Sequence, residues 1–272
     1  MFLLFDIGGT NTRMAVSRDG KNFEKPVIFQ TPAGFDEGIS LFKERALELT
    51  NENMSGIVGG LPGILNKDKS SLLDAPNLKD WNGKPIKSEL EKEFGAPVYL
   101  ENDAALAALG EAVYGAGKGK RIVAYLTIST GVGGARVVSG KIDENVFGFE
   151  PGRQLMDGIH DLEYFCSGNS FKKRYGKEPE EISDPAIWEE TTLWLARGIH
   201  NLTDFWSPDI IVLGGSVMLN RISIEQLRLS LEKINQEHNS FPDLPELVLA
   251  SLGDESGLYG GLAGAKFLDN NL

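Results

Sequence analysis

Phe2-Leu-Leu-Phe5-Asp6-Ile-Gly8-Gly9-Thr10-Asn11-Thr-Arg-Met-Ala-Val16 is the stretch on which the fold turns. An apolar run ends in a carboxylate, two glycines reverse the chain, and the apolar pattern resumes until Asp19-Gly20. This predicts a strand, a glycine turn and a returning strand. Outward from it, Pro26 to Thr31 predicts a third strand. Phe35, Ile39, Phe42, Ala46 and Leu49 recur at helical spacing and predict a helix. Gly56 to Gly60 reads as a short buried strand ending at Pro62-Gly63. Leu65 to Lys84 is polar and turn-rich, a long loop of the kind more often functional than idle. A helix over Pro85 to Phe94, a strand over Pro97 to Leu100 and a helix from Asn102 to about Tyr114 complete the first half.

The second half opens in the same way. Arg121 to Ile128 predicts a strand, Thr130-Gly131-Val-Gly133-Gly134 a turn, and Ala135 to Val138 the return. Setting Gly8-Gly9 against Gly133-Gly134 gives an offset of 125 residues, from position 8 to position 133. Further on, Trp188, Thr192, Leu195, Ile199, Leu202 and Trp206 make Pro185 to Trp206 an amphipathic helix for core or dimer packing. Asp209 to Leu213 then leads through Gly214-Gly215 into another helix. The expectation is two α/β halves with a duplicated strand-turn-strand entry.

The 272 residues are 41% hydrophobic and 24% charged, with 32 Gly and 12 Pro, which excludes a disordered or low-complexity chain. Lys and Arg number 27 against 39 Asp and Glu, a net charge of −12 that disfavours nucleic acid in the absence of a dense basic run. An anionic small ligand is not excluded, because backbone N–H groups hold phosphate whatever the global charge. Cys166 is the only cysteine, so no intrachain disulfide or cysteine zinc cluster can form. The run Met1 to Phe5 is far too short for a signal-peptide core, and no stretch reaches the ~20 apolar residues of a membrane span. A cytoplasmic protein with no membrane partner is expected.

Asp6-Ile-Gly8-Gly9-Thr10-Asn11 places a carboxylate beside a turn whose N–H groups can approach an anion, as a phosphate with Mg²⁺ requires. Thr130 to Gly134 and Leu213-Gly214-Gly215 are two more such turns, and three together suggest a nucleotide. Asn102 and Asp103 have two readings: a helix cap, or a general base with a partner for a substrate hydroxyl. Glu150-Pro-Gly-Arg153 and Leu162-Glu163 add carboxylates near turns, which read as surface acids or as acceptors for a polyol.

Taken in order, Asp6 to Thr10, Pro76-Asn77 to Trp81, Glu101-Asn-Asp-Ala-Ala-Leu-Ala-Ala-Leu-Gly-Glu111, Thr130 to Gly134, Glu150 to Gly152 and Leu213 to Gly215 resemble the ROK family of sugar kinases, from residue 2 to the C-terminus. The resemblance implies an α/β fold of two actin-like, ribonuclease H-like domains, each a mixed sheet flanked by helices, with a cleft between them. The expected division is 1–106 plus 256–272 and 107–255. It further implies ATP-dependent transfer of the γ-phosphoryl group to a hexose hydroxyl, foremost the 6-hydroxyl of glucose, with Mg²⁺ near Asp6 directly or through water. Fructose, N-acetylglucosamine and N-acetylmannosamine are the alternative acceptors, and a sugar-binding regulator without turnover is the alternative class. The family's regulators carry an N-terminal helix-turn-helix, for which the five residues before Asp6 leave no room. Asp103 is implied as the base, and Asn77, Asn102, Glu150, Arg153 and Glu163 as sugar ligands. Gly8, Gly9, Thr10, Asn11, Thr130, Gly131, Gly133, Gly134, Gly214 and Gly215 are implied around the nucleotide. A homodimer is implied as well.

The chain departs from the family at its zinc motif. Arg153 replaces the usual histidine, Asp161 stands where the last cysteine would precede Leu162-Glu163, and Cys166 falls outside the pattern. His160 lacks partners for a four-ligand site, so no structural zinc is expected. Arg153 is expected to brace the pocket wall with a forked ion pair to Glu150 or Glu163 while donating to the sugar.

Overall fold

The computed structural model of the chain describes residues 1–238 and 241–269. Its contacts divide the chain into two compact units. The first takes Met1–Tyr114, Glu144–Gly148 and the segment from Asp254 onward; the second takes Gly115–Asp143 and Phe149–Gly253. The division falls after Tyr114 rather than after residue 106, which would cut through a helix. Residues 270–272 of the expected first domain lie outside the described residues.

The first unit is built on a five-stranded sheet. Its strands are β1 (Phe2–Ile7), β2 (Asn11–Ser17), β3 (Val27–Gln30), β4 (Gly56–Leu61) and, after a small two-stranded ribbon of β5 (Ile64–Leu65) and β6 (Leu72–Asp74), β7 (Val98–Asn102). Their order is β3-β2-β1-β4-β7, antiparallel among the first three and parallel from β1 to β7. Helices α1 (Phe35–Leu49), α2 (Ile86–Phe94) and α3 (Asp103–Val113) belong to this unit too. Alternation along β1 sorts the core: Leu3, Phe5 and Ile7 join one buried cluster with α1 and α2 residues, and Phe2 and Leu4 join another on the opposite face.

The second unit repeats the plan with β8 (Ile122–Ile128), β9 (Val132–Val138), β10 (Lys141–Ile142), β11 (Ile210–Gly214) and β12 (Glu246–Leu249), ordered β10-β9-β8-β11-β12. Its helices are α4 (Leu162–Cys166), α5 (Gly168–Tyr175), α6 (Pro185–Trp206), α7 (Ser216–Arg221) and α8 (Ile224–His238). The final helix, α9 (Ser256–Asp269), returns to the first unit, where Leu258, Leu262 and Ala265 cover Phe2, Leu4, Ala15 and Val58. Helix α6 spans its expected residues and buries Leu195, Ile199 and Leu202 in the core of its unit, with Trp188 and Trp206 packed at the edge.

Two local expectations are corrected. The second hairpin turns at Ser129–Gly131, so Gly133 and Gly134 lie inside β9. The halves therefore match at an offset of 121 residues, Ile7 to Ile128 and Asn11 to Val132, rather than 125. Gly134 is glycine for packing: a methyl there would meet Tyr125 O at 2.2 Å and Pro151 at 3.1 Å. The segment Leu65 to Lys84 is not a bare loop either. It carries the β5/β6 ribbon, and Leu72, Ala75, Leu78 and Trp81 are buried, the indole Nε1 donating to Pro32 O at 3.2 Å.

Candidate active site

In the first unit, the turn after β1 is pinned from beneath by Thr31. Gly8 N donates to Asn11 O at 2.9 Å, Thr31 N donates to Thr10 O at 2.9 Å, and Thr31 Oγ1 donates to Gly8 O at 2.9 Å. Gly9, Thr10 and Asn11 remain exposed above it. Asn77, also exposed, packs on the turn so closely that a methyl on Gly9 would lie 2.8 Å from its side chain. Gly9 thus links the turn to Asn77, although they stand far apart in sequence.

Asp6 occupies the strand end beneath this turn. Its Oδ1 is shut off from solvent and has no hydrogen-bond partner among the described residues. Burial raises its pKa from 3.8 to about 6; Arg13, its cross-strand neighbour, pulls the value down and Asp254 pushes it up. Arg13 itself is held to Asp254 at 2.8 Å. Two glycines make room for the carboxylate. A methyl on Gly257 would lie 2.5 Å from Oδ2, and one on Gly60 would lie 3.0 Å from Oδ1 and 3.3 Å from the Cα of Asp103. Gly60 therefore stands between Asp6 and Asp103, and the β1, β4 and β7 strand ends bring these two acids together.

Asn102 ends β7 and caps α3, with Oδ1 accepting from Ala105 N at 3.0 Å and Nδ2 donating to Gly63 O at 3.0 Å. The cap reading of the sequence belongs to Asn102. Asp103 is the first residue of the helix, half-buried, with Oδ1 accepting from Ala104 N at 2.7 Å. A third acid, Glu101, is 2% exposed and pairs with Lys69 from the β5/β6 turn; the phenol of Tyr99 donates to the same carboxylate at 3.3 Å. Burial, then the nearby Glu101, pushes the Tyr99 phenol above its ordinary range. In the sequence Glu101 is one acid beside Asn102 and Asp103, and Lys69 one residue of a polar stretch. No local pattern announces an ion pair made across 32 residues.

The second unit presents Ser129, Thr130 and Gly131 between β8 and β9. The turn is tied to the start of α5, Gly168 N donating to Ser129 O at 2.7 Å and Asn169 N to Thr130 O at 3.1 Å. Glu163, on α4, lies against it: Oε2 accepts from Val132 N at 3.0 Å, and a methyl on Gly131 would sit 2.9 Å from that oxygen. Gly214 and Gly215 form the expected strand-to-helix passage, packed onto β8, where methyls would meet Tyr125 Oη at 2.7 Å and Ile128 O at 2.4 Å.

Glu150 is exposed and begins the tight turn Pro151–Arg153, its carbonyl accepting from Arg153 N at 3.0 Å. The expected forked brace is corrected here. The Arg153 guanidinium, 59% exposed, reaches Asp161 at 3.4 Å, and Glu163 is instead committed to Val132. Asp161 also caps α4 by accepting from Tyr164 N at 2.9 Å, which holds it within Arg153's reach. His160 stacks on Tyr164 and bonds Asp157 at 2.8 Å, which holds the Asp157 carboxyl down at about 2. Among the described residues no group of three or more His, Cys, Asp or Glu is placed to hold a metal ion. Cys166 is buried and its thiol pushed up by that burial. No helix among the described residues is long and apolar enough to cross a membrane.

The profile of the ROK family matches residues 3–266. A glucokinase from Halalkalibacterium halodurans is 33% identical over 94% of this chain and 92% of its own length. The ROK hexokinase of Thermus thermophilus superposes with a TM-score of 0.83 at 27% identity, covering 99% of both chains. A ROK family glucokinase from Streptomyces griseus, solved in complex with glucose and AMPPNP, has a TM-score of 0.76 at 24% identity over 96% of this chain and 98% of that one. The two repeated mixed sheets thus have the actin-like fold of these proteins.

Proposed function

The chain belongs to the ROK family, and from that premise we propose that it is an ATP-dependent sugar kinase. It transfers the γ-phosphoryl group to a hexose hydroxyl, foremost the 6-hydroxyl of glucose. The observation that carries this reading is the turn from β7 into α3. Asn102 is held on both sides by Gly63 and Ala105, and Asp103 follows it half-buried at the strand ends, close to Asp6.

Asp103 is the general base. Its carboxylate, oriented at the helix start with Oδ1 accepting from Ala104 N, takes the hydroxyl proton as the hydroxyl oxygen bonds to the γ-phosphorus and the bond to ADP breaks. Asn77, Asn102, Glu150, Glu163 and the exposed guanidinium of Arg153 contact sugar hydroxyls. The turns at Gly8 to Asn11 and Thr130–Gly131, with Gly133 and the Gly214-Gly215 passage, surround the nucleotide. Gly134 is left out, because Pro151 covers it.

The Asp6 site fits a cation: it is an acid whose charged form is penalised by burial and whose inner oxygen has no partner among the described residues. Asp6 holds magnesium there directly or through water, and the ion supplies charge neutralisation on the donor's phosphates. The same reading makes the enzyme a cytoplasmic homodimer.

A coupled assay of ADP release across a panel of hexoses tests the proposal. Sugar-dependent turnover with ATP and magnesium, highest with glucose, is the expected result. Sugar binding by calorimetry without turnover on any member would replace the kinase with a sugar-binding regulator.

A further inference from the structure

Between β5 and β6 the chain makes a tight turn organised by one residue. Asn66 Oδ1 accepts from Ser70 N at 2.8 Å and from Ser71 N at 3.2 Å, its Nδ2 donates to Ser70 Oγ at 3.0 Å, and its carbonyl accepts from Lys69 N at 2.9 Å. Lys69 closes the turn at φ +53°, in the left-handed region that residues with a side chain rarely adopt. A free lysine at a loop tip would point to water. This one turns inward, and its ammonium meets Glu101 Oε2 with the side chain only 26% exposed and that of Glu101 only 3% exposed.

Glu101 uses its other oxygen differently: Oε1 accepts from Asn102 N at 3.0 Å. One carboxylate therefore joins the tip of the ribbon to the backbone of the residue that precedes Asp103. Asn102 Nδ2, bonded to Gly63 O, adds a second tie between the same turn and the base of the same ribbon. The charged and titratable groups around Glu101 are Lys69 from the ribbon, Tyr99 on its own strand, and Asp103 two residues on, with Asp6 beyond Gly60.

We propose that Lys69 is a positioning residue for the sugar and the base: through Glu101 it fixes the Asn102 backbone, and with it the orientation of Asn102 and Asp103. This rests on the kinase reading above. The geometry makes Lys69 specific to the sugar side, since the pair lies at the β7 end and not on the Gly8 to Asn11 turn. Removing the ammonium leaves a buried carboxylate without its cation, which is more disruptive than removing both charges together. The effect on catalysis comes through misplacement of groups that must align closely with the reacting hydroxyl.

The test uses the full chain and four variants: Lys69→Met, Lys69→Arg, Glu101→Gln and the double variant Lys69→Met/Glu101→Gln. For Lys69→Met, kcat/KM for glucose is expected to fall by about 10- to 100-fold, with KM for ATP unchanged. Lys69→Arg should restore most of the loss, because it keeps the cation. The double variant should be less impaired than Lys69→Met. Wild-type glucose kinetics in Lys69→Met, or a rise in the KM for ATP as large as that for glucose, would overturn the inference while leaving the kinase reading intact. If the wild-type protein turns over no sugar, thermal melts at pH 8 decide. Lys69→Met must then lower Tm more in the wild-type background than in the Glu101→Gln background, and equal shifts would overturn the pairing itself.

Discussion

Asp103 and Asp6 lie close together, with Gly60 between them. Asp103 bonds Ala104 N and is not the cap of its helix, so replacing it by Asn leaves the fold in place. The variant should lose about 10²-fold or more in kcat while glucose still binds in calorimetry; turnover near wild type would reduce Asp103 to a structural acid. Asp6 is costly to ionise. Its folded pKa of about 6 lies above the ordinary 3.8, so the folded state holds the proton more tightly than the unfolded state. The stability present below pH 4 is lost as pH rises through 6, by on the order of 3 kcal/mol. Asp6→Asn, free of nucleotide and magnesium, should melt higher than wild type at pH 8 and show little difference at pH 4. A lower Tm at pH 8 would mean that the carboxylate is held by interactions outweighing its burial.

At the scale of elements, the turn between β8 and β9 and the helix α4 meet at Gly131. A methyl there would press on Glu163 Oε2, which is the far end of a flexible side chain and can swing away. Gly131→Ala should therefore cost about 1 kcal/mol of stability or less, yet raise the glucose KM several-fold as Glu163 leaves Val132 N. An unchanged KM would place Glu163 outside the sugar site. The strands and α1, α3 and α6 were legible because their apolar residues recur at the period of the element, as in β1, whose alternate residues enter separate cores. In the second hairpin glycine identity does not mark the turn: Gly134 serves the packing of Pro151, a partner 17 positions away in number that no turn rule anticipates. The Arg153 brace failed for a similar reason, since Asp161 competes for the guanidinium and the choice between carboxylates is made by the cap of α4. Asn102 and Asp103 were readable at the start of a helix, whereas Lys69 depends on a turn conformation that Asn66 imposes.

Each of the two units has the same strand order and carries its own turn and its own carboxylates. Cys166 is the one cysteine, and among the described residues no group of three or more His, Cys, Asp or Glu is placed to hold a metal ion. Exhaustive chelation followed by restoration of magnesium alone should therefore leave both Tm and hexose-dependent ADP release unchanged, with no stoichiometric zinc by elemental analysis. A Tm drop reversed by zinc would contradict this. The return of α9 to the first unit also bears on biosynthesis. The N-terminal sheet is made before the second unit, but the face formed by Phe2, Leu4, Ala15 and Val58 lacks Leu258, Leu262 and Ala265 until α9 is made, after Gly253 has closed the second unit. At ~5–20 residues per second, that face waits for roughly ten to forty seconds. The second unit can finish folding in the meantime, so the half that is made first is the half whose core is completed last.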